Sequence, residues 1–203
     1  MEKYIYKGKD EQTVINEALK DLGVTSEEII TKTTEEKSGL FSGKKYVVEI
    51  VKIEDIANYG KTILEGIVNG FNLEGNIEKQ IRGTQISYRI HSNNNGILIG
   101  KNGKVLSSIE KYLKQCINAQ TGMYMNVILD IENYKEKQNY FLERDVKKLA
   151  RQVTLTKVDV KLDPMNSFQR RLVHNALSKF DYIKTESVGE EPNRCVVIKY
   201  KEK

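Results

Sequence analysis

Two short clusters contain the residue types that could do chemistry. Residues 96 to 103 read Gly-Ile-Leu-Ile-Gly-Lys-Asn-Gly, so an apolar half-turn containing Ile97 and Ile99 runs into the tetrapeptide Gly100-Lys101-Asn102-Gly103. Glycine at both ends of that tetrapeptide lets the main chain approach a bulky ligand without side-chain clash. Lys101 and Lys104 add positive charge where a long amphipathic helix pattern begins, and a helix start offers free amides to an anion. The chemistry this suits is the grip of a sugar-phosphate chain, with Ile97 and Ile99 beneath the bases. Taken alone, a Gly-x-x-Gly also suits a helix-entry turn in which glycines relieve strain.

The second cluster is Arg170-Arg171-Leu172-Val173-His174. Arg170 and His174 are four residues apart, one turn above each other on a helix, and the spacing predicts a polar face turned away from Leu172, Ala176 and Phe180. A guanidinium and an imidazole on such a face can grip phosphate and stack on a base, with Arg171 beside them. A solvated helix face with one incidental histidine is the plainer alternative. Lys137, Arg144, Lys148 and Arg151, separated by 7, 4 and 3 residues, form a basic stripe on a preceding helix that could follow a phosphate backbone.

Other chemistries find little support. A Walker phosphate loop needs Gly, four residues, Gly-Lys and then Ser or Thr, whereas only three residues separate Gly96 from Gly100 and Asn102 follows the lysine. With two histidines and no nucleophile-base motif around Ser, Cys or Asp, the chain reads as a non-enzyme that needs no cofactor. Cys116 and Cys195 stand far apart without Cys or His neighbours, so neither a disulfide framework nor a zinc site is expected.

The elements that must position these residues follow from periodicity. Residues 1 to 52 read strand (Lys3 to Lys7), helix (capped by Asp10, closed by Gly23), strand (Ile29 to Thr34) and strand (Tyr46 to Ile53). Leu40-Phe41, between Gly39 and Gly43, is either a hairpin tip folded onto its own core or a docking tip for a partner. Residues 53 to 133 read helix, strand (Leu73 to Lys79), strand (Gln85 to Ser92), helix, loop, helix, strand (Tyr124 to Ile131), a three-stranded sheet backed by helices on one face. Residues 134 to 203 begin with a helix from Tyr134 to Val153 that buries Leu142, Val146, Leu149 and Val153. A strand from Lys157 to Leu162 follows, then a helix opening at Asp163-Pro164 that buries Leu172, Val173, Ala176, Leu177 and Phe180. Two strands around Gly189 and Pro192-Asn193 end the chain. The fold class is α+β, three small domains in tandem.

Charge is unevenly spread along the 203 residues. Of the formal net charge of +5, residues 134 to 203 hold 16 basic and 10 acidic side chains, while residues 54 to 133 hold 8 of each and residues 1 to 53 hold 9 and 10. A polyanion partner for the C-terminal third is the natural inference, although a basic surface also suits membrane lipid or solubility. No apolar run approaches the roughly 20 residues that span a bilayer, and Met1-Glu2-Lys3-Tyr4 does not open a secretory signal, so a cytoplasmic protein without an integral membrane segment is expected.

The apolar half-turn, the lysine-bearing loop and the flanking element order together resemble a KH domain of the type II, prokaryotic arrangement. Pro164 to His174, with Ser187-Val188-Gly189-Glu190-Glu191-Pro192-Asn193-Arg194 downstream, resembles the domain named for an Arg and a His three residues apart. Glu-Glu-Lys-Ser-Gly-Leu-Phe-Ser-Gly-Lys-Lys at 35 to 45 approximates the signature of a Jag N-terminal domain, departing from it at Ser42. In this order the three resemble the Jag family, also called KhpB or SpoIIIJ-associated. The long charged linker of some members is missing. The resemblance implies a single-stranded RNA-binding protein, with single-stranded DNA as the related ligand, acting as an RNA chaperone or post-transcriptional regulator. It further implies links to cell elongation, envelope (peptidoglycan) synthesis and division, a small single-KH partner protein or self-association, and recruitment to the membrane or division site. The alternative is a protein adaptor at the membrane-insertion or division machinery, with RNA binding secondary.

Overall fold

The computed structural model describes residues 1–36 and 44–202. The first sheet comprises β1 (Tyr4–Gly8), β2 (Ile29–Glu36) and β3 (Lys45–Lys52), antiparallel in the order β1-β3-β2. Val48 and Ile50 of the central strand are buried with Val14 and Ala18 of α1 (Glu11–Leu22), the helix period meeting the strand period at one small core. Asp10 caps α1 by accepting from the Thr13 amide at 2.8 Å, and Gly23 ends it in the left-handed conformation, as the sequence predicts. The Leu40-Phe41 segment lies outside the described residues.

No linker precedes the second sheet. Lys52 ends β3 and is also the residue that leads into α2 (Ile53–Gly70). There follow β4 (Gly75–Arg82), β5 (Gln85–Ser92), α3 (Asn95–Ile99), α4 (Lys104–Thr121) and β6 (Asn126–Ile131). The sheet order is β4-β5-β6, with β5 antiparallel to β4 and parallel to β6. Alternate residues Ile86, Tyr88 and Ile90 of the central strand are fully buried, while α2 packs on β4 and α4 on β6. The Tyr88 hydroxyl donates to the Ala57 carbonyl at 2.9 Å, and burial pushes its phenol well above the usual value. Gly60 makes room for it: a Cβ there would stand 2.1 Å from the Tyr88 oxygen. These two sheets together form one unit, Met1–Glu132.

The second unit, Asn133–Lys203, contains α5 (Tyr134–Thr156), β7 (Val160–Lys161), α6 (Ser167–Leu177), β8 (Ile183–Val188) and β9 (Cys195–Tyr200), with sheet order β7-β9-β8. Val146, Ala150 and Val153 of α5 meet Val173 and Leu177 of α6 over Ile183, Val196 and Ile198. Leu142 and Leu149, predicted as core, pack only partly buried at its edge. Two boundaries differ from the sequence reading. α5 runs on to Thr156 and closes at Lys157 in the left-handed conformation, which shortens the expected 157 to 162 strand to two residues. α6 starts not at Asp163-Pro164 but at Ser167, because Asn166 and Gln169 form a reciprocal capping box: the Gln169 amide donates to Asn166 Oδ1 at 2.9 Å and the Asn166 amide to Gln169 Oε1 at 3.3 Å. No described helix is long and apolar enough to cross a membrane.

Candidate nucleic-acid interface

The half-turn before the loop is a short helix, α3, anchored by Asn95, whose Oδ1 accepts from the Ser92 amide at 2.9 Å and the Ser92 hydroxyl at 2.8 Å. Leu98 is fully buried, which turns Ile97, 41% exposed, outward and leaves Ile99 half-buried. The chain then reverses through backbone states that side chains rarely adopt. Gly100 has φ 68° and ψ 179°, Asn102 φ 55° and ψ 28°, and Gly103 φ 73° and ψ 16°. Asn is the non-glycine residue that best tolerates the left-handed region, so its place between two glycines has a steric reason. Gly100 is required twice, since a Cβ would also lie 2.3 Å from Val105 Cγ2.

This path leaves Lys101, Asn102 and Lys104 exposed and Gly103 buried. Gly103 leads into α4 with no side-chain cap, but the turn before it already takes the Gly103 amide to the Gly100 carbonyl at 3.2 Å and the Lys104 amide to the Lys101 carbonyl, so the loop offers a close-lying main chain and two lysines rather than a row of free amides. The arrangement can meet a phosphate with flanking charge at close main-chain range, with Ile97 offering an apolar surface on the adjoining helix.

In the second unit the structure places Arg170 differently from the sequence prediction. Arg170 is not on a solvated polar face; it is 7% exposed and shares the buried side of α6 with Val173 and Leu177. Its Nη1 donates to the Met165 carbonyl and to Glu191 Oε1, both at 2.8 Å. The guanidinium therefore joins the segment before α6 to the β8–β9 connection, where the Met165 amide also donates to the Arg194 carbonyl at 3.1 Å. The expected polar face failed as a prediction because helical spacing alone does not show that a carboxylate from residue 191 will fold over residue 170.

His174 is half-buried, with both ring nitrogens engaged by β8: Nδ1 lies 2.6 Å from Thr185 Oγ1 and Nε2 3.0 Å from Ser187 Oγ. In the neutral ring one nitrogen donates to a hydroxyl oxygen and the other accepts a hydroxyl proton. Arg170 and His174 thus both lie on the side of α6 that faces the sheet, tying the helix to it. The outward side presents Arg171, Asn175 and Phe168, the last 62% exposed.

Lys137, Arg144, Lys148 and Arg151 are all exposed along α5, as expected. Two apolar residues fall in the same row. Phe141 and Leu155 complete the series 137, 141, 144, 148, 151 and 155, alternating four and three residues along one helix face, and both are exposed. The Arg144 guanidinium lies over the Phe141 ring, 5.0 Å from its centre, and pairs with Asp145 at 3.0 Å. Among the described residues no group of three or more His, Cys, Asp or Glu gathers that could hold a metal ion.

Small α+β units, a Gly-x-x-Gly turn before one helix and a row of exposed basic residues along another define the class of protein. Residues 141–200 match the model of the R-3-H domain, which spans most of α5 and everything to β9. Along most of its length the chain is similar to RNA-binding protein KhpB of Clostridium symbiosum, 32% identical over 198 residues, 95% of this chain and 89% of that protein. RNA-binding protein KhpB of Bacillus subtilis strain 168 is also 32% identical, over 200 residues that cover 96% of each chain. A third relative of that name, from Lactiplantibacillus plantarum, is 36% identical over 103 residues, 51% of this chain and 32% of that protein. The chain belongs to the KhpB family.

Proposed function

We propose that this protein is a cytoplasmic, non-enzymatic single-stranded RNA binder that acts as an RNA chaperone or post-transcriptional regulator. The observation that carries the reading is the loop from Gly100 to Gly103. Three left-handed or glycine-only backbone states present exposed Lys101 and Asn102 before an uncapped helix start. That is the geometry a KH domain uses to clamp about four nucleotides, with Ile97 and Ile99 under the bases.

The second unit supplies most of the attraction. Arg171, Lys137, Arg144, Lys148 and Arg151 meet phosphates from solvent, while His174 holds α6, and any RNA segment on it, against β8 and Arg170 ties it to the β8–β9 connection. Relatives named as RNA-binding over nearly the full chain support the ligand class. From the family resemblance come the biology of cell elongation, envelope synthesis and division, and a partner that is a small single-KH protein or a second copy.

The test is titration of single-stranded RNA with the wild type and with the double variant Lys101→Asp, Asn102→Asp at two salt concentrations. Aspartate tolerates the left-handed conformation of residue 102, so the loop keeps its path while its charge reverses. The expected result is a clear loss of affinity. Unchanged affinity and salt slope would remove the loop from the site, and lost RNA crosslinking in an Arg170→Ala, His174→Ala variant that keeps its fold would make that pair a ligand contact as well as a tie.

A further inference from the structure

The exposed row on α5 ends in a cavity that the RNA-binding reading has not used. Arg151, Thr154 and Leu155 from the end of α5, with Phe180, Asp181 and Tyr182 from the turn between α6 and β8, line a space of about 410 Å³. Its walls are unusual for a surface. Leu155 is 83% exposed and Tyr182 40% exposed, while Phe180 is half-buried against the core of the unit.

The turn that presents Tyr182 is held by backbone bonds. The Ile183 amide donates to the Phe180 carbonyl at 3.2 Å, and the Lys201 amide to the Tyr182 carbonyl at 2.9 Å. The backbone that carries the ring is therefore anchored, which lowers the ordering cost of any ligand that stacks there.

We infer that this cavity receives one nucleobase of a single-stranded RNA whose phosphates follow Lys137, Arg144, Lys148 and Arg151 along α5. The proposal rests on the RNA-binding reading and adds a base pocket to it. Charge decides which part of the nucleotide enters. Asp181 would repel a phosphate but accepts from a base amino group, whereas Arg151 at the same wall suits the phosphate on the backbone side. Leu155 and the Tyr182 ring supply the apolar and stacking surfaces that a base needs and a phosphate does not.

Charge also argues against the row as a seam between two copies of the chain. Four of its six positions are cations, which would meet like charge across an interface, and heptad seams need apolar residues at those positions. Phe141 gives the track a second ring, so bases can stack at both ends of a stretch of about 21 Å, the 14-residue separation from 141 to 155 along the helix.

The native sequence has no tryptophan, so Tyr182→Trp in the full chain introduces a single indole at the pocket. Its fluorescence is followed during titration with a single-stranded RNA and with an abasic ribose-phosphate chain of the same length. The expected result is quenching by the base-bearing chain and little by the abasic one. Alongside, Tyr182→Ala should weaken the base-bearing chain by about 5-fold to 100-fold, the effect of losing one stacked base, and leave the abasic chain unaffected. Tyr182→Phe should bind as the wild type.

An indole unmoved by saturating RNA would overturn the pocket and leave the RNA-binding reading standing. Failure of the wild type to bind any RNA would overturn both. Quenching by anionic phospholipid vesicles, with none by RNA, would assign the surface to a membrane and also overturn the proposal. If Tyr182→Ala proves unstable, the indole signal still decides.

Discussion

The Gly100 to Gly103 loop and the surface of the second unit differ in how each would meet the anionic chain proposed for them. The loop sits in a stretch with 8 basic and 8 acidic residues, and its means are backbone conformation and close main-chain approach. The C-terminal 70 residues bear a net charge of +6, and their means are long side chains on two helices. A shape set by the main chain is fixed in place and acts at contact range, whereas exposed lysines and arginines act over a Debye length and weaken with salt. In the proposed function the difference gives position to the first region and attraction to the second.

That division is open to attack at its strongest point. Gly100→Ala forces a Cβ into a glycine-only conformation and against Val105, a strain of about 1–3 kcal/mol. RNA affinity should fall about 10-fold to 100-fold while the salt slope stays unchanged, as read by titration at several ionic strengths. A slope that flattens as much as the affinity falls would mean that the loop works by charge after all.

Next in size is Arg170→Ala. Glu191 is 60% exposed in its side chain, so removing the arginine strands no buried charge, and the cost comes from the lost bond to the Met165 carbonyl and lost packing, about 1–3 kcal/mol. Thermal or denaturant unfolding should show this loss in residues 133–203 and leave the first unit unaffected. Full stability with weakened RNA binding would turn Arg170 from a tie within the fold into a ligand contact.

A smaller effect is expected from Lys148→Gln and Arg151→Gln. Each should cut affinity a few-fold and flatten the logarithmic salt slope by roughly one, equally for all RNA sequences. Unaltered slopes in both would locate the attraction of the second unit elsewhere than α5.

Smallest is a pH effect within the second unit's sheet. Lys199 Nζ lies 2.7 Å from Glu186 Oε2, holding the carboxyl below its usual range and the ammonium above it. Glu186 then adds stability above a pH of 4.5, its ordinary value, that fades as acid titrates it. Lys199 adds stability below pH 10.5 that fades as base removes its proton. Glu186→Gln should therefore remove a shallow acid-side step in a stability profile and barely change the plateau, since the pair is solvent-exposed.

The sequence by itself determined the order of elements, the α+β class and the family. Period-2 and period-3.6 patterns are local, and Asp10, Gly23, Gly100 and Gly103 mark their ends by rules that need only neighbouring residues. The same locality made the basic row on α5 legible, because helical geometry fixes which residues share a face. It also explains the missed start of α6, where Pro164 is a permitted signal but the Asn166–Gln169 capping box satisfies two amides at once and wins.

Only the tertiary structure decided what the named residues face. Arg170 is buried because Glu191, 21 residues away, returns on the β8–β9 connection to meet it, and His174 spends both nitrogens because Thr185 and Ser187 come to lie beside it. Leu155 and Tyr182 become walls of one cavity through a contact between α5 and a turn 27 residues later. Such contacts depend on where distant segments cross, a property of the packed core that no local spacing contains.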